Sequence, residues 1–215
     1  VKLLKRDALV LEANSLKDTE LRTYFQKQAH QEGLTFDKGV FEELLVKSSF
    51  DFSDIQKNLA FLKGYKTEGN ISSQDITEAI PKSLQDNIFD MTQLLLRGQI
   101  QDVRELVHDL RLQGEDEIKL IAVMLGQFRT YLQVKLLSAQ GKSEQQIVSS
   151  LSDYLSRKVN PFQVRYAIRD SRHLSVAFLK TTIKTLVETD YQIKTGTLDK
   201  DYLLDLALLK IASNS

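Results

Sequence analysis

The sequence predicts a mainly α-helical protein, and three observations support that fold class. Apolar residues recur at intervals of three and four, which is the spacing of one face of an α-helix. The chain has only two prolines and nine glycines among 215 residues, and we take them as breaks between helices. Serine, aspartate and asparagine stand where the periodic stretches begin, as helix N-caps do.

Residues 15–81 are predicted to form a small bundle of three helices and a short fourth. The predicted N-caps are Ser15, Asp37, Asp51 and Ser72, and the predicted ends are Gly33, Gly64 and Pro81. Phe36 and Phe41 flank Asp37 at the spacing of a hydrophobic staple. Each helix is short, so it needs the others to bury its apolar stripe.

Ala8–Ala13 is short and apolar, which is typical of a β-strand. One short strand is not stable alone, so we expect it to pair with a segment outside this sequence. The chain also begins at Val1 rather than at methionine. Both observations lead us to expect a fragment whose N-terminal part has been removed.

Longer helices are predicted in residues 83–215. They cover 86–97, 100–113, 116–139, 143–151, a segment from Asn160, 175–195 and 202–212. The last helix, Tyr202–Ala212, is apolar nearly all round. A helix of that kind lies at the centre of a core or in an interface, and the sequence leaves both open.

Composition excludes several classes of protein. Lysine plus arginine equals aspartate plus glutamate, so the net charge is zero, which argues against a strongly electrostatic nucleic-acid binder acting alone. There is no cysteine, so the chain has no disulfide and no thiolate metal site, as in proteins of a reducing cytosol. Apolar runs fall short of the ~18 residues that a membrane span needs.

Isolated motifs favour structure over catalysis. Gly141-Lys142-Ser143 resembles the end of a phosphate-binding loop. Such a loop needs another glycine five residues earlier, and that position is occupied by Leu136. Glu115-Asp116-Glu117 stands at a predicted helix start, where acidic side chains favour the helix dipole. The three histidines, His30, His108 and His173, lie on different predicted helices and lack metal-ligand spacing. We therefore expect no catalytic residue, no metal site and no cofactor.

One pattern favours a different class, a helix-turn-helix DNA-binding regulator. Ser143–Leu151 would be the first helix and Asn160–Asp170 the recognition helix, with Arg165 and Arg169 as possible DNA contacts. The connection between them is longer than the usual 3–4-residue turn, and the net charge is zero. This interpretation stays open as the alternative.

Longer matches, taken together and in order, resemble the C-terminal part of the bacterial DNA polymerase III delta subunit family. They are Leu84-Gln85-Asp86-Asn87-Ile88-Phe89-Asp90-Met91-Thr92, the stretch from Leu120 to Lys135, Asn160-Pro161-Phe162-Gln163-Val164 and Thr189–Asp199. The resemblance implies that residues 1–14 are a remnant of a first AAA+ subdomain, with Ala8–Ala13 its last strand. It implies a helical lid subdomain in 15–81 and a helical collar domain in 83–215.

The resemblance also implies a function. It is that of a subunit, non-catalytic by itself, of the cytoplasmic clamp loader of the DNA polymerase III holoenzyme, which opens the sliding clamp and loads it onto primed DNA. The collar would bind the loader subunits delta prime and tau or gamma, and the clamp would be reached only through the missing N-terminal part. Within the collar we expect subunit contacts at Tyr191, Lys194, Leu198 and Tyr202.

Overall fold

The computed structural model describes residues 16–48, 50–156 and 159–214. These residues divide after Pro81 into two compact units, called here unit 1 (up to Pro81) and unit 2 (from Lys82). The described residues form eleven helices and one small sheet, so the predicted mainly helical fold is confirmed. The strand predicted at Ala8–Ala13 lies outside the described residues.

Unit 1 contains four helices and a two-stranded sheet. In chain order they are α1 (Asp18–Gln31), β1 (Leu34–Phe36), α2 (Val40–Lys47), α3 (Phe52–Tyr65), β2 (Gly69–Ile71) and α4 (Ser73–Ala79). Buried apolar side chains from all four helices share one core with Leu34 of β1 and Ile71 of β2. Phe25 is fully buried there, and its ring lies 4.8 Å from that of Phe52.

The sheet is a feature that the sequence analysis did not predict. Its strands are parallel, with Leu34 opposite Gly69 and Phe36 opposite Ile71. Each strand has three residues, which is too short to show an alternating pattern. Gly33, at φ +81°, ends α1 and leads directly into β1.

Two predicted helix starts in unit 1 are wrong. The first helix begins at Asp18, where Lys17 is the N-cap and Glu20 accepts the Lys17 backbone N–H at 2.8 Å. The second begins at Val40 after Gly39, so Asp37 is not its cap. Asp37 instead continues the strand pairing, since its backbone N–H donates to the Ile71 carbonyl at 3.0 Å. Asp51 and Ser72 cap α3 and α4 as predicted.

Unit 2 contains seven helices. They are α5 (Leu84–Leu96), α6 (Ile100–Leu112), α7 (Glu117–Ala139), α8 (Glu144–Leu155), α9 (Pro161–Asp170), α10 (Val176–Lys194) and α11 (Lys200–Ala212). Their N-caps include Ser83, Asp116, Ser143, Asn160, Ser175 and Asp199, each with a side-chain hydrogen bond to the first turn. The predicted helices and the observed ones agree to within a few residues.

The long helix α7 is the centre of unit 2. It packs against α5, α8, α9, α10 and α11. Its side chains Leu120, Met124, Phe128 and Val134 are fully buried in the core. This explains why its apolar stripe in the sequence is so broad. Among the described residues, no helix has the length and apolar character of a membrane span.

Candidate subunit interface

The four predicted interface residues lie in one segment of unit 2, at the end of α10 and the start of α11. Tyr191 and Lys194 are on the last two turns of α10, Leu198 is in the connecting turn, and Tyr202 is in the first turn of α11. All four are exposed, with Tyr191 at 69%, Tyr202 at 57% and Leu198 at 54%.

The turn between the two helices is fixed by backbone hydrogen bonds. Gly196, at φ +67°, donates to the Ile193 carbonyl at 3.0 Å, and Thr197 donates to the Gln192 carbonyl at 3.1 Å. This is the Schellman pattern, in which glycine adopts the left-handed conformation after a helix. The Asp199 side chain then accepts the Tyr202 backbone N–H at 3.0 Å and begins α11. The exposed residues are thus held on an ordered corner.

Two further exposed apolar residues extend the same helix faces. Val187 lies one turn before Tyr191 on α10, and Leu209 lies two turns after Tyr202 on α11, which are the spacings of residues on one face. Val187 is 43% exposed and Leu209 is 48% exposed. The sequence analysis did not single them out. The apolar character of α11 on nearly all sides was the sequence feature that could have indicated an exposed apolar residue such as Leu209.

The opposite faces of both helices are in the core. Phe178, Leu179 and Leu186 of α10 are buried, as are Leu204, Leu208 and Ile211 of α11. Each helix therefore has a core face and an outer face that also carries apolar side chains. We call the outer set of Val187, Tyr191, Leu198, Tyr202 and Leu209 the outer apolar face. Exposed aromatic and aliphatic side chains on ordered helices are typical of protein–protein contact surfaces.

An ionic cluster around the buried Glu117 joins α11 to the corner between α6 and α7. Glu117 is only 3% exposed. One oxygen of its carboxylate accepts a hydrogen bond from Arg111 Nε at 2.9 Å, and the other lies 2.9 Å from Lys200 Nζ. Lys200 also pairs with Asp116 at 2.6 Å. Arg111 Nη2 donates to the Asp201 carbonyl and to Asp205 Oδ1, both at 3.2 Å. We call Arg111, Glu117 and Lys200 the ionic cluster.

The cluster strongly perturbs its carboxylate. Burial alone would raise the pKa of Glu117, but the hydrogen bonds from Lys200 and Arg111 outweigh it and lower that pKa to about 2. The pKa of Lys200 is raised by its hydrogen bonds to Asp116 and Glu117. The sequence analysis explained Glu115-Asp116-Glu117 by the helix dipole alone. That account is incomplete, because the partners of Glu117 come from two other helices.

The two predicted DNA contacts lie on α9 and are engaged within the chain. Arg165 donates through both Nε and Nη2 to the Glu144 carboxylate, at 2.9–3.3 Å, and its guanidinium lies 5.7 Å from the Phe162 ring centre. Arg169 pairs with Asp170 at 2.7 Å and lies 5.1 Å from the Tyr166 ring centre. Both arginines are exposed, but each already has an acidic partner.

The remaining sequence motifs have structural places. Gly141 follows α7 at φ +76°, and Ser143 caps α8, with Gln146 completing the capping box. Among the described residues, no group of histidine, aspartate and glutamate is arranged to hold a metal ion.

Comparisons with known proteins agree with one another. The family described as DNA polymerase III delta subunit, C-terminal domain, matches residues 85–211. The chain is 33% identical over 214 residues to DNA polymerase III subunit delta of Bacillus subtilis (strain 168), which covers 98% of this chain and 59% of that protein. It is also similar to the solved structure of the Bacillus subtilis DNA clamp loader delta protein (YqeN), with TM-score 0.73, 31% identity, and coverage of 99% and 61%. The chain thus spans about three fifths of the length of these relatives.

Proposed function

The chain belongs to the DNA polymerase III delta subunit family, and we propose that it acts as a subunit of the replicative clamp loader. In this role it takes part in opening the sliding clamp and placing it on primed DNA in the bacterial cytoplasm. We assign residues 15–81 to the helical lid subdomain and residues 83–215 to the collar that joins the loader subunits. The chain contributes assembly rather than catalysis.

The observation that supports an assembly role is the outer apolar face of α10 and α11. Tyr191 and Tyr202 are more than half exposed, although both helices bury their other faces in the core. A helix that served only the core would gain by placing polar residues on its outer side. Tyrosine is enriched at protein interfaces, where large side chains provide much of the binding energy.

The proposed partners are the loader subunits delta prime and tau or gamma. Their contact with this chain should depend mainly on apolar burial, because the outer apolar face has no excess of one charge. Glu188 pairs with Lys184 at 3.7 Å and Asp190 with Lys194 at 2.8 Å, so the charges flanking the face are balanced within α10. Moderate salt should then weaken the complex little, whereas complexes with DNA lose affinity steeply as salt rises.

Co-assembly tests the proposal directly. The 215-residue chain is mixed with delta prime and tau or gamma and analysed by size-exclusion chromatography. Tyr191→Asp and Leu209→Asp should each reduce the affinity more than about tenfold, because they place a charge within the apolar contact. Helix content and melting temperature should change little, since both positions are outside the core.

Tyr154→Asp is the matched control. Tyr154 is 75% exposed on α8, so the same change there alters charge and exposed area equally but leaves the outer apolar face intact. The control should assemble like the native chain. A folded native chain that does not co-elute with these partners at micromolar concentration would refute the collar assignment. Equal losses at Tyr154 and Tyr191 would refute the location of the interface.

A further inference from the structure

The rotation of α11 about its own axis is only partly determined by its apolar residues. Its buried positions are Leu203, Leu204, Ala207, Leu208 and Ile211. A rotation by one residue in one direction would bury Leu204, Asp205, Leu208, Leu209 and Ala212. The opposite rotation would bury Tyr202, Leu203, Leu206, Ala207 and Lys210. Each alternative keeps four apolar residues of five, so apolar burial differs among the three orientations by one side chain, and the alternatives are further opposed by the cost of burying Asp205 or Lys210.

The ionic cluster supplies what the apolar pattern lacks. Lys200 reaches Glu117 and Asp116 from the first residue of α11, and Arg111 reaches the Asp201 carbonyl and Asp205 from the end of α6. These bonds hold the first two turns of α11 at defined positions. Charged hydrogen bonds are directional and hydrophobic contact is not, so the cluster distinguishes the orientations.

We propose that Arg111, Glu117 and Lys200 are positioning residues, which set the rotation of α11 and thereby select the face with Tyr202 and Leu209 for presentation to a partner. A buried ionic group that specifies one arrangement among several apolar ones has precedent in helical assemblies. The consequence for assembly rests on the proposed function. The consequence for the orientation of α11 does not.

Thiol accessibility measures the orientation without any partner, since the chain has no cysteine of its own. Leu208→Cys and Leu209→Cys are made separately, because Leu208 is 4% exposed and Leu209 is 48% exposed. In the native background an aromatic disulfide reagent should modify position 209 about 100-fold faster than position 208. The ratio of the two rates reports which side of α11 faces solvent.

The cluster is then replaced by apolar residues of similar size, as Arg111→Met, Glu117→Leu and Lys200→Met together. Such replacements keep or raise stability in other proteins, so helix content should be retained. The ratio of labelling rates should fall at least about tenfold, because α11 now populates other rotations. The matched control is Glu115→Leu with Lys119→Met, an ion pair at 2.6 Å beside the cluster, which should leave the ratio unchanged.

A single-site series decides the outcome if the triple variant loses its helix signal. Lys200→Met should lower the ratio, and Lys200→Arg should restore it, since an arginine can still reach both carboxylates. Unchanged ratios in Lys200→Met, or in a folded triple variant, would overturn the positioning role. A role in stability alone would lower the melting temperature and leave the ratio as it is.

Co-elution with delta prime and tau or gamma provides the second readout. The triple variant should lose assembly and the Glu115/Lys119 control should keep it. If the ratio falls but even the native chain does not assemble, the proposed function fails and the positioning role stands. If the native chain assembles and the ratio is unchanged, only the positioning role fails.

Discussion

Glu117→Gln should destabilise unit 2 by removing the buried charge that Arg111 and Lys200 share. A carboxyl whose pKa falls from 4.5 to about 2 contributes roughly 3 kcal/mol of folding free energy at neutral pH. Asp201 opposes part of this, because its hydrogen bond with Glu117 raises the pKa of Asp201. Glutamine also turns an amide donor toward one of the two cations. We therefore expect a loss of about 2–3 kcal/mol at pH 7.

The pH dependence has a definite sign. The folded-state pKa of Glu117 lies below its value in the unfolded chain, so its stabilisation is complete above about pH 5 and is lost as the pH falls toward 2. For a shift from 4.5 to about 2, roughly 1.4 kcal/mol remains at pH 3 and about 0.4 kcal/mol at pH 2. The difference between native chain and variant should therefore shrink with acid.

Urea titrations followed by circular dichroism, at pH 7, 4 and 3, measure this difference. The transition of unit 2 is the one that Glu117→Gln moves. Glu188→Gln is the control, since Glu188 is exposed and its oxygen lies 3.7 Å from Lys184, and it should cost less than about 0.5 kcal/mol. A Glu117→Gln effect below about 1 kcal/mol at pH 7, or one that stays constant down to pH 3, would refute the reasoning.

Three further predictions concern other parts of the chain. Phe25→Ala should destabilise unit 1 by about 3–5 kcal/mol in urea titrations, because Phe25 is fully buried, and a loss below about 1 kcal/mol would contradict its place in the core. Gly126→Ala should raise the melting temperature and Gly141→Ala should lower it by a similar amount. Gly126 is inside α7 with open space around it, whereas Gly141 has φ +76°, and equal shifts would argue against this contrast. Burial raises the pKa of Tyr131 to about 12, so the stability that it provides below pH 10 should be lost between pH 10 and 12, and Tyr131→Phe should remove that alkaline step.

Local signals in the sequence were sufficient for most of the helices. The segment predicted from Asp116 to Ala139 forms α7, from Glu117 to Ala139, and Asn160 caps α9 at the predicted place. Caps, helix periodicity and helix-ending glycines act over a few residues, so the sequence displays them directly. The two prolines stand outside helix interiors, but Gly64 and Gly126 lie inside helices. A glycine by itself therefore does not predict the end of a helix.

Interactions between distant residues could not be predicted in this way. The pairing of Leu34 with Gly69 joins two strands of three residues each, and no alternation can be recognised over that length. Arg111 and Asp205 are 94 residues apart, and nothing in either sequence neighbourhood indicates the other. The contacts that form the ionic cluster could therefore be recognised only in the structure.

In the candidate site, too, local features could be predicted from the sequence and contacts could not. The exposure of Tyr191 and Tyr202 agrees with their choice as interface residues, but the partner that would cover them stays a prediction. Val187 and Leu209 were overlooked because sequence periodicity cannot separate the core face from the outer face when both are apolar.

The geometry of α9 bears on the choice between subunit assembly and groove reading. A recognition helix offers uncommitted side chains to base edges and phosphates. Arg165 donates through both Nε and Nη2 to the Glu144 carboxylate, and Arg169 pairs with Asp170. DNA would therefore have to displace both acidic partners. Displacing the largely exposed Arg165–Glu144 pair costs only about 1 kcal/mol, but the Asp170 side chain is 7% exposed, and displacing Arg169 would leave its buried charge without a cation. The paired charges also offer little attraction over distance. The outer apolar face of α10 and α11 needs no such displacement before it can be covered. These contacts support the proposed assembly role of unit 2 over the alternative in which α9 reads a DNA groove.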